Sequence, residues 1–184
     1  MSHKRANVLV TRRLTLRAPL PLDADAIAAH LNNINVARNL SKVPHPYGVS
    51  DAEDWIAQVR HERCCFTIHR ERLIGVVHVR DAADRPMLGY WLAQRWWGHG
   101  YMVEAAMAAL ARAFDFYNTD EIGSYAITEN HASLAIMEKL GFEETGRGTV
   151  FIPSRDAGYP TIKTVLTRSR FERLLESEAR KAAA

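Results

Sequence analysis

The segment that decides the fold reads Met87-Leu-Gly-Tyr-Trp-Leu-Ala-Gln-Arg-Trp-Trp-Gly98-His-Gly100-Tyr-Met-Val-Glu-Ala105. A strand-like run is followed by a turn with two glycines and then by apolar residues at helical spacing. The first amides of a helix lack acceptors within the helix, and the helix dipole places about half a positive charge there. Because glycine lets an anion approach the backbone, the segment predicts an anion site at the start of a long helix.

Two common phosphate-binding motifs do not fit this segment. A dinucleotide fingerprint G-x-G-x-x-G requires glycine or alanine where Val103 stands, and a P-loop requires Lys-Ser or Lys-Thr after its last glycine. The pattern that is left is Arg95-x-x-Gly98-x-Gly100. Taken alone, this hexapeptide fits a tight strand-to-helix connection without a ligand as well as it fits an anion site.

The flanking sequence alternates between strand and helix patterns. Before the glycine turn, three strand-like runs at 64–69, 73–80 and 87–92 predict an antiparallel meander. After it, the pattern predicts a helix over 100–117, a strand over 122–128, a helix over 130–140 ended by Gly141, and final strands from Phe142 and over 161–166.

The N-terminal part predicts a short strand over 14–16, a helix that starts near Pro21, and a loop over 32–47 with one helical turn. Ser50-Asp-Ala-Glu53 and Ser169-Arg-Phe-Glu172 have capping-box spacing, so we expect a helix to start at each. These patterns predict one α/β domain over residues 1–184, in which 169–184 form a C-terminal helix and tail.

Composition narrows the classes of function. The 184 residues are 47% hydrophobic and 24% charged, with a formal net charge of +3, which predicts a packed globular protein. The basic residues are interleaved with carboxylates, so we expect no nucleic-acid partner. No apolar run is long enough to span a membrane and no secretory signal follows the basic start, so we expect a cytoplasmic protein without a membrane partner. Cys64 and Cys65 are adjacent, which favours reduced packing residues, and we expect no metal site.

Two segments carry a resemblance to a known family. Arg95-x-x-Gly98-x-Gly100 is similar to the acetyl-CoA pyrophosphate motif [QR]-x-x-G-x-[GA] of the GNAT N-acetyltransferases. The segment Asn130-His-Ala-Ser-Leu-Ala-Ile-Met-Glu-Lys-Leu-Gly-Phe142 resembles the N-x-x-S-x-x-x-x-E-K-x-G-F block of the Rim-type branch, which acetylates protein N-termini. The resemblance extends from Arg13-Leu-Thr-Leu-Arg17 to the final strand.

This resemblance implies a mixed, mostly antiparallel sheet of about six to seven strands, flanked by helices. Its central parallel pair, 87–92 and 122–128, would splay apart and hold the pantetheine arm of acetyl-CoA. The backbone near Leu92 and the side chain of Asn130 would bind that arm, and amides from Arg95 to Tyr101 would bind the pyrophosphate. The residues implied to bind acetyl-CoA are Leu92, Arg95, Trp97, Gly98, His99, Gly100, Tyr101 and Asn130.

The resemblance also implies direct transfer of the acetyl group to an amine. A strand amide near Leu92 would stabilise the oxyanion. In several branches a tyrosine after the Gly-Phe pair protonates the leaving thiolate, but Phe151 lies in that stretch here. Ser133 has the position that serves this role in the Rim-type branch; its alternative reading is an ordinary first-turn helix serine. Asn130, assigned to the catalytic site with Ser133, also fits a helix cap.

We identify no strong general base. Glu129 is expected to face solvent, and His78 on an apolar strand is expected to be a satisfied core histidine. Trp96, Trp97 and the 32–47 loop are expected to line the acceptor side, whereas Trp55 and Trp91 are expected to anchor the core or flank the wedge. The predicted acceptor is the N-terminal α-amine of a protein or peptide. A small amine such as a polyamine, aminoglycoside or amino-acid analogue, and a non-catalytic CoA-binding module, remain alternatives, and either a monomer or a homodimer is compatible.

Overall fold

The computed structural model describes residues 8–183, and the basic segment at residues 1–5 lies outside the described residues. Within that range the strands are β1 (Val8–Val10), β2 (Thr15–Arg17), β3 (Cys65–His69), β4 (Leu73–Arg80), β5 (Met87–Leu92), β6 (Glu121–Ile127), β7 (Glu143–Ile152) and β8 (Ala157–Thr167). The α-helices are α1 (Ala24–Leu31), α2 (Ile34–Ala37), α3 (Val49–Val59), α4 (Tyr101–Tyr117), α5 (His131–Lys139) and α6 (Arg168–Ala183). In the described range, no helix is long and apolar enough to cross a membrane.

The strands form one mixed sheet in the order β1-β2-β3-β4-β5-β6-β8-β7. Neighbouring strands pair antiparallel except for β5 and β6, which run parallel. The predicted mixed, mostly antiparallel sheet is therefore confirmed, as is the meander of β3, β4 and β5. The described sheet has eight strands instead of six to seven, because β1 has only three residues, Val8-Leu-Val10, all apolar and without the alternation that marks a strand in the sequence.

The parallel pair separates soon after it begins. Its ladder holds one residue pair, Met87 with Gly123, next to a 2.8 Å hydrogen bond from the Gly123 amide to the Pro86 carbonyl. A Cβ on Gly123 would lie 2.5 Å from Met87 Sδ, so a larger residue there would displace the Met87 side chain where the two strands approach most closely. Further along, β5 continues its pairing with β4 and β6 continues with β8, so a wedge opens between β5 and β6 towards their carboxyl ends.

Helices cover both faces of the sheet. The main core lies between the sheet and α4, whose buried alanines Ala105, Ala106, Ala109 and Ala113 allow a close approach to the strands. A second cluster joins α1 and α3 to the opposite face, where Trp55 and Trp91 pack against it. The expectation that these two tryptophans anchor the core is confirmed.

The helix starts differ from the predictions at two capping sites. Helix α3 starts at Val49 instead of Ser50, because the Asp51 carboxylate accepts a 2.8 Å hydrogen bond from the Gly48 amide and makes Gly48 the cap. Helix α6 starts at Arg168, before Ser169, and the Thr167 hydroxyl accepts from the amide three residues later, at 3.4 Å. In both cases the predicted capping box is wrong.

The cap of α5 agrees with the sequence. Asn130 Oδ1 accepts from the Ser133 amide at 3.1 Å, which satisfies one of the free amides of the first turn. Gly141, just beyond the helix, has a φ of 86°, the left-handed conformation expected of a glycine at this position. Asn130 and Ser133 are therefore held at the carboxyl end of β6.

Candidate active site

The predicted glycine turn connects β5 to α4 directly. One turn of 3-10 helix, Gln94–Trp96, leaves the strand, and α4 begins at Tyr101 with Gly100 as its N-cap. Gly98 and Gly100 have φ values of 79° and 75°, in the left-handed region that disfavours other residues. Backbone conformation is thus what favours glycine at both positions. Lack of space is not the reason at Gly98, because a Cβ there would meet nothing within 4 Å.

The turn uses some of its amides and leaves others free. The Trp96 and Trp97 amides donate to the carbonyls of Ala93 and Gln94, at 2.9 and 3.1 Å. The first helical bond of α4 runs from the Glu104 amide to the Gly100 carbonyl, at 3.2 Å. The amides of residues 98–103 therefore remain for an anion, and within the stretch from Arg95 to Tyr101 predicted to bind the pyrophosphate, the Trp96 and Trp97 amides are the ones already used by the turn.

Aromatic side chains of the glycine turn hold its backbone in place. The Trp97 indole Nε1–H donates to the Leu92 carbonyl at 2.7 Å, and the His99 ring donates from Nδ1 to the Trp97 carbonyl at 2.7 Å. His99 also stacks on the buried ring of Tyr101, with centroids 5.6 Å apart. The side chains of Trp97, His99 and Tyr101 hold the shape of the turn, and their backbone forms the candidate binding surface.

Three arginines surround the glycine turn, and sequence analysis identified only Arg95. Arg13 donates from Nε to Glu104 Oε2 at 2.6 Å and from Nη1 to the His99 carbonyl at 3.1 Å. Arg70 and Arg95 lie 5.8 and 5.5 Å from the centroid of the Trp96 ring. Arg13 and Arg70 come from the β1–β2 and β3–β4 connections, so only the fold brings them beside the glycine turn.

Glu104 ties the first turn of α4 to the β1–β2 connection. Burial alone would raise the pKa of Glu104, but hydrogen bonds from the Thr11 hydroxyl and from Arg13 outweigh burial and lower that pKa. The Thr11 bond is 2.6 Å long and the bond from the Arg13 amide is 2.8 Å long. A permanent carboxylate thus anchors Arg13 beside the glycine turn.

The Leu92 amide points into the wedge. Successive residues of a strand direct their N–H groups to opposite sides. The Ala93 amide donates to the Ile74 carbonyl of β4 at 2.8 Å, so the preceding amide, that of Leu92, faces β6. Since β6 has moved away at this level, the Leu92 N–H is directed at open space between the strands, which fits its predicted role.

The structure brings Asn130 and Ser133 to the other side of the wedge. Asn130 uses Oδ1 as the cap of α5, which leaves its amide nitrogen able to donate to a ligand. Ser133 Oγ lies 2.8 Å from the hydroxyl of Tyr90 on β5. Burial raises the pKa of Tyr90 to about 12 although the hydrogen bond to Ser133 lowers it. Sequence analysis missed Tyr90, because the contact joins residues 43 positions apart.

The opposite face of the sheet provides the second approach to the wedge. A cavity of about 220 Å³ lies between α1 and the end of β5, lined by His30, Asn33, Gln94, Arg95, Ala29 and Ala93. A larger cavity of about 410 Å³ shares Ala29 and Asn33 with it and extends to Tyr47. The two cavities follow α1 towards the end of β5.

Hydrogen bonds attach the 32–47 loop to the turn that follows β5 and to β6. Asn33 Nδ2 and Asn35 Nδ2 donate to Gln94 Oε1 at 2.8 and 3.1 Å. The hydroxyls of Ser41 and Tyr125 lie 2.9 Å apart, which joins the loop to β6. The loop therefore lies over this side of the wedge, and its role in lining the acceptor side stays a prediction.

The titratable groups near this side are weak candidates for a general base. Glu129 is exposed, as predicted, and accepts an ion pair from Arg155 at 3.0 Å. The pKa of His30 is lowered by burial, although its Nε2 hydrogen bond to the Leu73 carbonyl opposes that effect. Nε2 is the donor because a carbonyl only accepts, so the neutral ring keeps a lone pair on Nδ1.

His78 differs from its predicted role. Its Nδ1 is buried without a hydrogen-bond partner, so it is not the satisfied core histidine that its strand position predicted. Burial lowers the pKa of His78 to about 3, and a Cβ on Gly89 would lie 2.6 Å from its ring. His78 therefore packs over Gly89 as a neutral ring within the sheet.

The two cysteines are buried and free. Burial raises the pKa of the Cys64 thiol to about 11 and that of Cys65 to about 12, so neither is a reactive thiolate. Among the described residues, no three His, Cys, Asp or Glu side chains form a group that could hold a metal ion.

Comparison with known proteins agrees with this geometry. Residues 13–143 match the family model described as acetyltransferase (GNAT) domain. The chain is 27% identical over 151 residues to the uncharacterized N-acetyltransferase YoaA of Bacillus subtilis (strain 168), covering 76% of this chain and 84% of that protein.

Two solved structures show the same fold. The ribosomal-protein-S5-alanine acetyltransferase from Vibrio fischeri has a TM-score of 0.75 at 19% identity, covering 89% of this chain and 98% of that one. The spermidine N-acetyltransferase from Vibrio cholerae, solved with CoA and spermine, has a TM-score of 0.73 at 22% identity, covering 86% and 98%. The family match spans most of the sheet and the whole glycine turn, and the chain belongs to the GNAT family of acetyltransferases.

Proposed function

We propose that this enzyme transfers the acetyl group of acetyl-CoA to the N-terminal α-amine of a protein or peptide, as the Rim-type resemblance implies. The observation that carries the choice of acceptor is the shortage of carboxylates on the acceptor side. The two cavities along α1 are lined by a single carboxylate, that of Asp25, and Glu129, in the connection between β6 and α5, is ion-paired with Arg155.

The residues present fit acetyl-CoA. The free amides of residues 98–103 and the side chain of Arg95 would hold its pyrophosphate, and the Leu92 backbone and Asn130 would hold the pantetheine arm. Bound acetyl-CoA supplies the thioester that the amine attacks. The Leu92 N–H would donate to the developing oxyanion, a fixed donor of the kind that contributes about 3 kcal/mol.

The absence of a strong base favours an α-amine as acceptor. At pH 7 an α-amine with a pKa of about 7.8 costs about 1.1 kcal/mol to deprotonate, whereas a lysine amine near 10.4 costs about 4.6 kcal/mol. The acceptor side offers an ion-paired carboxylate at Glu129 and a half-buried imidazole at His30. Because an α-amine costs only about 1.1 kcal/mol to deprotonate at pH 7, its proton can pass to water without a strong general base.

The charge pattern disfavours polyamines. A polyamine or aminoglycoside carries several positive charges, and a site selective for one requires several carboxylates to compensate them. A peptide N-terminus brings one positive charge and an extended backbone, which suits a groove that follows α1 and is lined by amide side chains. Asn32, Asn33 and Gln94 supply those amides.

Ser133 is the proposed proton donor to the departing sulfur. It lies in the first turn of α5 at the carboxyl end of β6, beside the cap Asn130 and across the wedge from Leu92. An amine nitrogen forms a bond to the acetyl carbon as the carbon–sulfur bond breaks. The electron pair goes to sulfur, which takes the Ser133 proton, and water returns to Ser133 the proton that the amine lost.

The test is a CoA-release assay with three matched acceptors at saturating acetyl-CoA. These are a peptide with N-terminal alanine, the same peptide with an acetylated N-terminus and an internal lysine, and spermidine. We expect kcat/KM for the first to exceed the other two by about 100-fold, a difference of about 2.7 kcal/mol. Preferential turnover of spermidine would replace this proposal with a small-amine acetyltransferase. No release with any amine would favour a CoA-binding module.

A further inference from the structure

The hydroxyl pair of Tyr90 and Ser133 joins the two sides of the wedge. Tyr90 lies on β5 between Leu88 and Leu92, which pack into the main core, and its ring is partly buried against that core. Its hydroxyl reaches α5, where Ser133 Oγ lies at 2.8 Å and the Ser133 carbonyl oxygen at 3.2 Å. The phenol is thus directed at one residue of the opposite wall.

The hydrogen of the phenol has a preferred acceptor. The Ser133 carbonyl oxygen lies 3.2 Å from the phenol oxygen and, as part of α5, also accepts a backbone hydrogen bond within the helix. Ser133 Oγ is closer and has lone pairs free. When Oγ accepts from Tyr90, the serine's own hydrogen is turned away from Tyr90 and can be given to another atom.

We propose that Tyr90 is a positioning residue for acetyl transfer, which donates a hydrogen bond to Ser133 Oγ and so directs the Ser133 hydrogen at the departing sulfur. This inference rests on the proposed role of Ser133. The same bond stabilises the negative charge that grows on Oγ as its proton moves to sulfur. Tyr90 thereby supplies, from the neighbouring strand, part of what the tyrosine missing at Phe151 would have supplied.

The environment of Tyr90 suits a permanent donor. Because burial raises the pKa of Tyr90 to about 12, the phenol keeps its proton over the whole range in which the enzyme can be assayed. Tyr90 therefore orients the serine, and Ser133 makes the transfer.

The experiment is a double-mutant cycle with Tyr90→Phe, Ser133→Ala and both together, assayed with acetyl-CoA and the alanine-starting peptide. Tyr90→Phe keeps the ring and removes the hydroxyl. We expect it to lower kcat about 10-fold, with an unchanged Kd for acetyl-CoA by calorimetry. In the Ser133→Ala background the same change should cost less than about 2-fold, because residues that act as a unit are not additive.

A matched control is Tyr117→Phe. The Tyr117 hydroxyl donates to the Val79 carbonyl at 3.0 Å, and burial raises the pKa of Tyr117 to about 12, as it does for Tyr90. This variant loses a comparable buried hydrogen bond on the far side of the core, so kcat should stay within about 2-fold. If Tyr117→Phe lowered kcat as much as Tyr90→Phe, the effect of Tyr90→Phe would reflect a general loss of structure, which would contradict a specific role for Tyr90.

The outcomes separate the two proposals. An equal loss of kcat from Tyr90→Phe in the wild-type and Ser133→Ala backgrounds would overturn the positioning role. So would an ionisation in the pH dependence of the wild-type kcat that is absent from Tyr90→Phe, because Tyr90 would then titrate during catalysis. An unchanged kcat in Ser133→Ala would remove the proposed role of Ser133 and with it the Tyr90 inference. A large loss in Ser133→Ala with none in Tyr90→Phe would reject the Tyr90 inference alone.

Discussion

A negative charge placed in the glycine turn should weaken acetyl-CoA binding strongly while the fold survives. Gly100 caps α4 with a φ of 75°, and a Cβ added there would lie 3.6 Å from Arg13 Nη2, an ordinary contact. There is room for a side chain, so the cost of Gly100→Glu to folding is the left-handed backbone, about 1–2 kcal/mol. Gly100→Ala carries the same backbone cost without the charge.

The effect on binding follows from the position of the new carboxylate. At about 5 Å from one phosphate charge, with an effective dielectric constant of about 20, the repulsion is about 3 kcal/mol. The second phosphate charge adds to this, whereas Arg13 beside Gly100 offsets part of it. We therefore expect the Kd for acetyl-CoA to rise about 100-fold in Gly100→Glu relative to Gly100→Ala.

The assay is isothermal titration of acetyl-CoA into both variants and into Gly146→Glu. Gly146 lies on β7 with open space around it and no left-handed φ, so it controls for an added carboxylate elsewhere. Higher salt should narrow the difference between the Glu and Ala variants at Gly100, since the repulsion is screened. Equal affinities for acetyl-CoA in these two variants would refute the placement of the pyrophosphate on the amides of this turn.

Three further predictions concern the strand ends and the buried histidine. His78→Gln and Glu129→Gln should each leave kcat within about 10-fold, because neither group acts as a general base; a loss of about 10³-fold in either would contradict this. The folded-state pKa of His78 is about 3, below its unfolded value, so stability is lost as pH falls. Urea unfolding of the wild type should lose about 2 kcal/mol more than His78→Gln between pH 7 and 5, and equal losses would show that His78 titrates normally. Trp97→Phe removes the indole N–H bond to the Leu92 carbonyl. Urea unfolding should show a loss of about 1 kcal/mol in stability, and kcat should fall several-fold. An unchanged kcat would show that this bond does not position the Leu92 backbone for catalysis.

The central elements could be predicted because their signals are local. The strands β4 and β5 have the predicted bounds, since apolar runs there are bounded by polar turns that the fold does not override. The glycine turn was recognisable because its two left-handed positions require glycine. Asn130 and Gly141 were recognisable for similar reasons, as a cap and a helix stop.

Other elements depend on tertiary pairing. Strand β8 begins at Ala157, four residues before the predicted start, because pairing with β7 keeps Gly158 and Pro160 extended although both favour turns. The cap of α3 moved from Ser50 to Gly48 because the Asp51 carboxylate reaches the Gly48 amide. Local spacing does not decide between two caps two positions apart, Gly48 with Asp51 and Ser50 with Glu53, that can each begin the same helix.

Contacts between distant segments lay beyond the sequence patterns. Arg13 and Glu104 are 91 positions apart, and their hydrogen bond depends on how the β1–β2 connection lies against α4. Tyr90 reads as an ordinary strand residue until α5 places Ser133 opposite its hydroxyl. The sequence patterns thus predicted the glycine turn and the α5 cap better than the side chains that surround them.

The most direct test of the central claim is the mass of the acetylated product. The enzyme is incubated with acetyl-CoA and a peptide that carries both a free N-terminal alanine and an internal lysine, and the modified residue is located by fragmentation. We predict a single acetyl group on the alanine nitrogen. Acetylation of the lysine alone, or an unmodified peptide alongside rapid acetylation of spermidine, would contradict the proposed acceptor.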